Sequence, residues 1–224
     1  MVRRTKEAAQ HTRSQLLDAA EQLFHAQGVS RTSLQEIAAA AGTTRGAIYW
    51  HFKDKADLFN AMMERVTLPM EETIQHLGEN PRADPVAELR ESVRAALLLV
   101  RDDLQVRRVF EIATHQVEYV EELKAVKERH LQCRNDCLVK IERGLNQAAA
   151  QQKQGLSLPA PVAVHGLHGL VDGLIQNWLL DVQAFDLVEY GCRSVDVYLR
   201  GLGLMPDLRS LPEPAEALAE VLVE

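Results

Sequence analysis

Aromatic residues make up only 5% of this 224-residue chain, and it has just three cysteines. Three thiols cannot all pair within one chain, and none stands in the doubled C-x-x-C of a zinc site. A disulfide scaffold is therefore excluded, and a reducing cytoplasm is the expected compartment. No run of about 18 apolar residues occurs, so no helix is expected to span a membrane. The first residues are polar and basic without an apolar centre, and are expected not to be a secretory signal. A glycine loop for phosphates, a nucleophile elbow and a separated catalytic dyad are also missing, which argues against an enzyme and against a bound cofactor.

What the chain does have is helix-forming material. Apolar residues are 46% of the total, and Ala, Leu, Val, Glu and Gln are abundant, which favours an all-α fold with an ample core. Residues 10–27 carry Leu16, Leu17, Ala20, Leu23 and Phe24 on one stripe, stopped by Gly28. A longer helix is expected from Ala56 to about Leu77, with Leu58, Phe59, Met62, Met63 and Val66 inward and Pro69 as a kink. After a loop at 78–85, helices are expected at about 86–101, 104–113, 115–153, 161–181 and 185–203. Residues 206–224, with three prolines and many acids, read as a weakly ordered tail in which 215–223 has the pattern of a helical turn or two.

The most informative stretch is LQEIAAAAGTTRGAIYWH, residues 34–51. Leu34, Ile37, Ala38 and Ala41 share one helical face, and Ser33 with Glu36 forms an S-x-x-E capping box. Gly42 ends that helix where a left-handed backbone favours glycine. Thr43 or Thr44 caps a second helix bearing Arg45, Tyr49, Trp50 and His51. A short helix, a glycine turn and a polar, aromatic second helix make a helix-turn-helix, whose second helix enters the DNA major groove. Arg45 suits bidentate pairing with guanine O6 and N7, and Ala47 suits a thymine methyl. Gly46 permits close approach to the groove. Ser33, Thr43, Thr44, Tyr49, Trp50 and His51 are further candidates at the duplex, with donors suited to phosphate oxygens. Lys55 adds charge at the start of the next helix. Tyr49 and Trp50 are not both expected to face solvent, and one ring is expected to pack partly against the first helix. Phe52 reads as core. Arg3, Arg4 and Lys6 are either an arm reaching a groove or a solvated tail.

The charge is divided accordingly. Residues 1–55 hold eight basic and five acidic side chains, a surplus of +3, so the rest of a chain of net charge −7 carries −10. A basic head on an acidic body directs attraction for phosphates to one end.

RTSLQEIAAAAGTTRGAIYWHFKDKADLF resembles the N-terminal domain of the TetR/AcrR family of bacterial repressors, and MVRRTKEAAQHTRSQLLDAAEQLFHAQG is most similar to the branch that represses multidrug efflux-pump operons. The strong match covers roughly residues 3–65. The resemblance implies about nine helices: a DNA-binding head at 1–55, a ligand-binding and dimerisation body at 56–205, and the tail at 206–224. It implies that Tyr49, His51 and Lys55, in the pattern Y-x-H-F-x-x-K, grip the DNA backbone. It also implies that a ligand inside the body moves the helix after the DNA motif and so changes the separation of two recognition helices. A second reading, the same plan serving a fatty acyl or other metabolic ligand, would need a long apolar tunnel.

A two-turn helix reads too little sequence alone, so a homodimer on a near-palindromic operator is expected. The last two long helices are the candidate interface, with Gly166, Gly169 and Gly173 along one strip. Leu170, Leu174, Trp178 and the Val195, Leu199, Leu202 stripe would supply apolar area, unless the glycines only pack within the subunit. The inducer is expected to be small and hydrophobic or aromatic, in an apolar pocket with a few polar anchors. The apolar candidates are Leu68, Leu89, Val93, Ala96 and Leu97 before the long helix, then Phe110, Ala113, Cys137, Ile141, Val171 and Ile175. The polar ones are Thr114, His168, Asp172 and Gln176. Asp172 has either a buried partner or a ligand, and the V-D-G context of related efflux repressors implies the ligand. Rival chemistry rests on His130, Cys133 and Cys137, spaced H-x-x-C-x-x-x-C, or on His165, His168 and Asp172. Either set has the residue types for metal, and the thiols for oxidants, but i,i+4 cysteines are poorly placed for a disulfide and ordinary packing competes.

Overall fold

In a computed structural model, which describes residues 2–80, 84–118, 123–153 and 155–205 with side chains from Lys6 onward, the described residues form nine α-helices and no strand. The tail at 206–224, with its expected turn at 215–223, lies outside them, as do the side chains of Arg3 and Arg4.

Helix α1, Val2–Gln27, starts eight residues before the stripe that predicted it. The residues preceding that stripe, RRTKEAAQ, are good helix formers without apolar partners, so periodicity alone passes over them. Its stripe is buried as expected, with Leu16, Ala20 and Phe24 fully covered. Helices α2, Leu34–Ala40, and α3, Arg45–His51, follow, then α4, Lys55–Thr73, capped by Asp54 accepting from the Asp57 amide at 2.8 Å. Helix α4 stops short of Leu77 and gives way to turns. Pro69 lies inside it, where its ring nitrogen cannot donate to the carbonyl four residues back.

Aspartates start three further helices: Asp84 caps α5, Pro85–Asp102; Asp103 caps α6, Leu104–His115; and Asp186 caps α9, Leu187–Gly201. Between the last two run α7, Lys124–Gln151, and α8, Ala160–Leu180. The single helix expected over 115–153 is therefore shorter: α6 ends at His115, and α7 begins only at Lys124.

Two apolar clusters organise the packing. One joins α1, α2 and α3 to the first turns of α4 and to α5, α6 and part of α8, through Phe24, Ile37, Ile48, Phe59, Val109 and Trp178. The other ties the end of the α4 segment to α7, α8 and α9 through Leu77, Leu145, Leu167 and Leu199. Each such side chain, fully buried, contributes about 1.5–3 kcal/mol. At the far end of the α4 segment the contact is made by backbone. A Cβ at Gly78, whose φ is +73°, would come within 2.9 Å of the Arg143 carbonyl carbon and the Gly144 nitrogen. Arg143 then donates to the carbonyls of Leu77 (2.6 Å) and Gln75 (2.9 Å), and pairs with Glu79.

Charge adds to the apolar joint between the first three helices and the rest. Glu21 of α1, only 3% exposed, accepts from Arg65 of α4 (3.0 Å) and from Gln105 and Arg108 of α6 (3.0 and 2.9 Å). Arg65 also reaches Asp18 at 2.6 Å. Farther along the same pair of helices, His25 meets Glu111 at 3.0 Å and the Val29 amide donates to the Gln116 carbonyl at 3.1 Å.

Candidate nucleic-acid interface

The capping residues expected from the sequence set the two short helices. The Ser33 hydroxyl accepts from the Glu36 amide at 3.2 Å, while the Glu36 carboxylate accepts from the Ser33 amide at 2.8 Å and from its hydroxyl at 2.7 Å. These bonds hold the Glu36 carboxyl below its ordinary range, and they commit the Ser33 hydroxyl within the helix. Gly42 makes the turn at φ +65°. Thr44, not Thr43, is the cap of α3, its hydroxyl accepting from the Ala47 amide at 3.2 Å. Thr43 instead closes the turn by donating its amide to the Ala38 carbonyl at 2.9 Å.

Ile48 alone is buried from α3, which turns the remaining side chains outward. Arg45 lies over the Tyr49 ring, 5.7 Å from its centroid, and both are exposed. Trp50 is 73% exposed and Tyr49 50%, so the expectation that the two rings do not both face solvent is corrected, and Tyr49 is the half-covered one, beside Ser33 and Leu34. A Cβ at Gly46 would meet only Thr44 Oγ1 at 3.8 Å, so nothing inside the protein demands glycine there, and the position is exposed. Ala47 is half-buried beside it. The Trp50 ring stands edge-on to His51, with centroids 4.6 Å apart. His51 is held below the usual histidine range, first by burial and then by the charge of Arg13, so its imidazole is neutral at pH 7.

Lys55 departs from its simple reading as an exposed phosphate contact. It is buried, and its ammonium donates to the carbonyls of Ser30 (3.2 Å) and Thr32 (3.1 Å), tying the α1–α2 turn to the start of α4. Arg13, which the sequence offered only as one charge among eight, sits over the buried Phe52 ring at 5.2 Å, beside the end of α3. No local motif marks it, because the contact joins residues far apart in the chain.

The expected ligand residues are not gathered into one cavity. Leu97 and Ile175 are packed in the first cluster, with Phe110, Ala113, Val93 and Val171 against it. Leu89 and Ile141 belong to the second, with Cys137 beside them. Ala96, Thr114 and His168 are half-buried, and burial depresses the His168 pKa. Leu68 is half exposed, correcting its place inside the pocket. Asp172 and Gln176 are also corrected: both lie on the outside of α8, where the Gln176 amide donates to Asp172 at 2.6 Å. His165, Asp172 and Gln176 recur at helical spacing on this exposed side of α8, while Leu167, Ile175 and Trp178 are buried. A small cleft of about 70 Å³ instead lies between α4, α6 and α7, lined by Phe59, Met63, Ala113 and Val126, with the Glu64–Arg129 ion pair (3.3 Å) at its edge. Of the expected residues only Ala113 lines it. Cys133 borders this cleft, and burial pushes the Cys137 thiol up to about 11, keeping it protonated and poorly reactive.

The expected dimer stripe needs correction too. Trp178, Val195, Leu199 and Leu202 are buried within the subunit. A Cβ at Gly166 would run into the Tyr198 side chain, so that glycine serves internal packing, whereas Gly169 and Gly173 face open space. The apolar groups left outside on α8 and α9 are Val162, Leu180, Tyr190 and Val197. Among the described residues no helix is long and apolar enough to cross a membrane.

Comparison with known proteins matches two segments of the chain. Residues 16–62 match the family described as bacterial regulatory proteins, tetR family, and residues 84–204 match the C-terminal region of MAATS-type transcriptional repressors. The chain is 37% identical over 213 residues to the HTH-type transcriptional regulator TtgR of Pseudomonas putida, covering 93% of this chain and all of the relative. Its structure resembles that of NalD, the secondary repressor of the MexAB-OprM multidrug efflux pump in Pseudomonas aeruginosa, with a TM-score of 0.80, 34% identity, and coverage of 87% of this chain and 98% of that one. It also resembles a triclosan complex of SmeT, the repressor of the Stenotrophomonas maltophilia pump SmeDEF, with a TM-score of 0.77, 31% identity, and coverage of 91% and 98%. Fatty acid regulators match at 20–21% identity and share the fold alone.

Proposed function

Since this chain belongs to the tetR family of bacterial regulatory proteins, we propose that it is a homodimeric repressor of a multidrug efflux-pump operon, released from operator DNA when a small hydrophobic or aromatic compound binds its body. The observation that carries this reading is α3: a capped helix of seven residues that turns Arg45, Tyr49 and Trp50 into solvent over a filled apolar underside. Leaving two large rings in water is unfavourable for an isolated chain, and a duplex supplies the missing surface.

In this proposal residues 1–55 are the DNA-binding head and 56–205 the ligand-binding and dimerising body, working in the cytoplasm and catalysing no reaction. Arg45 reads a guanine edge, and Ala47 meets a neighbouring base where Gly46 lets the helix approach. Thr44, Tyr49, Trp50 and His51 take phosphates. Lys55 acts by holding the α1–α2 turn in place, with the α4 N-terminus beside it. The two copies meet through the exposed sides of α8 and α9. The ligand enters at the cleft beside α4, whose Phe59, Met63 and Val126 suit an apolar ring and whose small volume requires it to widen on binding. A coupling of about 1–3 kcal/mol between that site and the operator would weaken repression by about 5–150-fold.

The test is a titration of the purified protein against the DNA upstream of its own gene at fixed salt, with triclosan, antibiotics, plant phenolics and acyl-CoAs added in turn. Release by aromatic or amphipathic drugs is expected. Release by acyl-CoA alone would move the reading to metabolic control, and no specific binding in any condition would overturn it.

A further inference from the structure

Arginines are used in two ways along this chain. In the body, Arg65, Arg90, Arg94, Arg101, Arg108 and Arg143 lie against carboxylates at 2.6–2.9 Å, and Arg107, which stacks on the Trp178 ring at 4.9 Å, spends an N–H on the Arg101 carbonyl. At the recognition helix, Arg13 and Arg45 lie instead on aromatic rings, and among the described residues neither has a carboxylate partner. An aromatic face occupies the flat side of a guanidinium and leaves its N–H edge pointing outward, with the charge uncancelled.

The two stacked arginines stand at opposite ends of α3. Arg45 opens the helix and rests on Tyr49, one turn on. Arg13 reaches across from α1 to Phe52, the residue that closes the helix, next to His51 and its edge-on Trp50. Its charge is close enough to oppose protonation of His51. Because Phe52 is buried, the ring is a fixed platform, so the guanidinium is positioned before any DNA arrives.

We propose that Arg13 is a DNA-phosphate ligand supplied by α1, gripping the backbone beside the end of α3 opposite Arg45. This rests on the DNA-binding reading above and extends the contact surface to a helix outside the helix-turn-helix. The competing role is a cover, in which the aliphatic stem of Arg13 merely shields Phe52 from water.

Arg13→Gln and Arg13→Lys in the full-length protein separate the two roles. Affinity is measured against salt concentration on a duplex of about 30 base pairs from the upstream region and on a scrambled duplex of the same length, with thermal midpoints recorded alongside. Arg13→Gln is expected to reduce the log–log salt slope by about 0.9 per engaged head and to weaken both duplexes alike, by about three- to ten-fold near physiological salt. Arg13→Lys should keep the slope. An unchanged slope in Arg13→Gln, with only a lowered midpoint, would leave the cover role and overturn the proposal. So would an Arg13→Lys slope as low as that of Arg13→Gln, or a loss confined to the upstream duplex, which is the mark of base reading. A wild-type protein that binds neither duplex would remove the DNA-binding reading itself, an outcome distinct from all of these.

Discussion

Two of the faces that leave large apolar groups in water have opposite surroundings. On α3, Tyr49 and Trp50 stand among Arg45, Arg13 and Lys53 with no acid on the helix. On α8 and α9, Val162, Leu180, Tyr190 and Val197 stand with the bare Gly169 and Gly173 and with Asp172. Exposure alone says only that a partner is wanted; the charge around it says which. Unpaired cations beside rings suit a polyanion with stacked edges and phosphates. Apolar side chains between glycines suit another helix at close range, and a second copy of the same chain is the partner always at hand.

The sharpest way to break this comparison is a charge on the second face. Val197→Asp is expected to convert the dimer to monomer by sedimentation and to cost about 10²–10⁴ in operator affinity, since the second head then binds as a separate event. A variant that stays dimeric would move the interface elsewhere. Next is the joint between the faces. Glu21→Ala leaves Arg65 and Arg108 without their shared acceptor, and because both are partly solvated the expected cost is about 2–3 kcal/mol rather than the full cost of a buried pair. That corresponds to a thermal midpoint lower by about 5–10 °C for a chain of this size. Arg45→Ala should weaken the upstream duplex by about 1–3 kcal/mol while leaving the midpoint in place, and an equal loss on scrambled DNA would make it a phosphate contact instead.

A smaller effect is expected from pH. The folded pKa of His51 lies below its unfolded value, so its contribution to stability is present above the unfolded pKa and is lost as pH falls through the folded one. The same protonation adds a cation beside DNA. As pH falls below the ordinary histidine range, operator binding should tighten while stability declines, and His51→Gln should flatten both trends. The smallest effect belongs to Asp172→Asn. With that carboxylate outside the body, ligand-induced release should not change, and a tenfold loss of response would return it to the pocket.

The recognition helix was legible because its signals are local. A capping box, a glycine turn and a threonine cap are decided within three or four residues, and they appear where the pattern places them. The boundaries of α1 and α7 were less legible, since helix-forming stretches without an apolar stripe carry no period to count. Least legible was α8. Trp178 was expected on the outer surface with the dimer stripe and Asp172 at the pocket from the V-D-G resemblance, and each is on the other side, because His165, Asp172 and Gln176 make one exposed polar stripe. Arg13 and Glu21 were missed as sites for a different reason: their partners are 39 to 87 residues away, and no window of sequence holds both ends.

The close backbone approach at Gly78 and Gly144 has a mechanical consequence. With 19 residues at about 1.5 Å each, α4 is a beam of about 28 Å. The turns beyond one end are pinned to α7 by Arg143, and the other end carries the recognition helix. If the pinned end serves as a fulcrum, a tilt of about 5° sweeps the Lys55 end through about 2.5 Å over that length. That is nearly the length of a hydrogen bond. A displacement in the cleft no larger than a side-chain swap, made partway along the beam, would therefore be amplified at the end that adjoins α3.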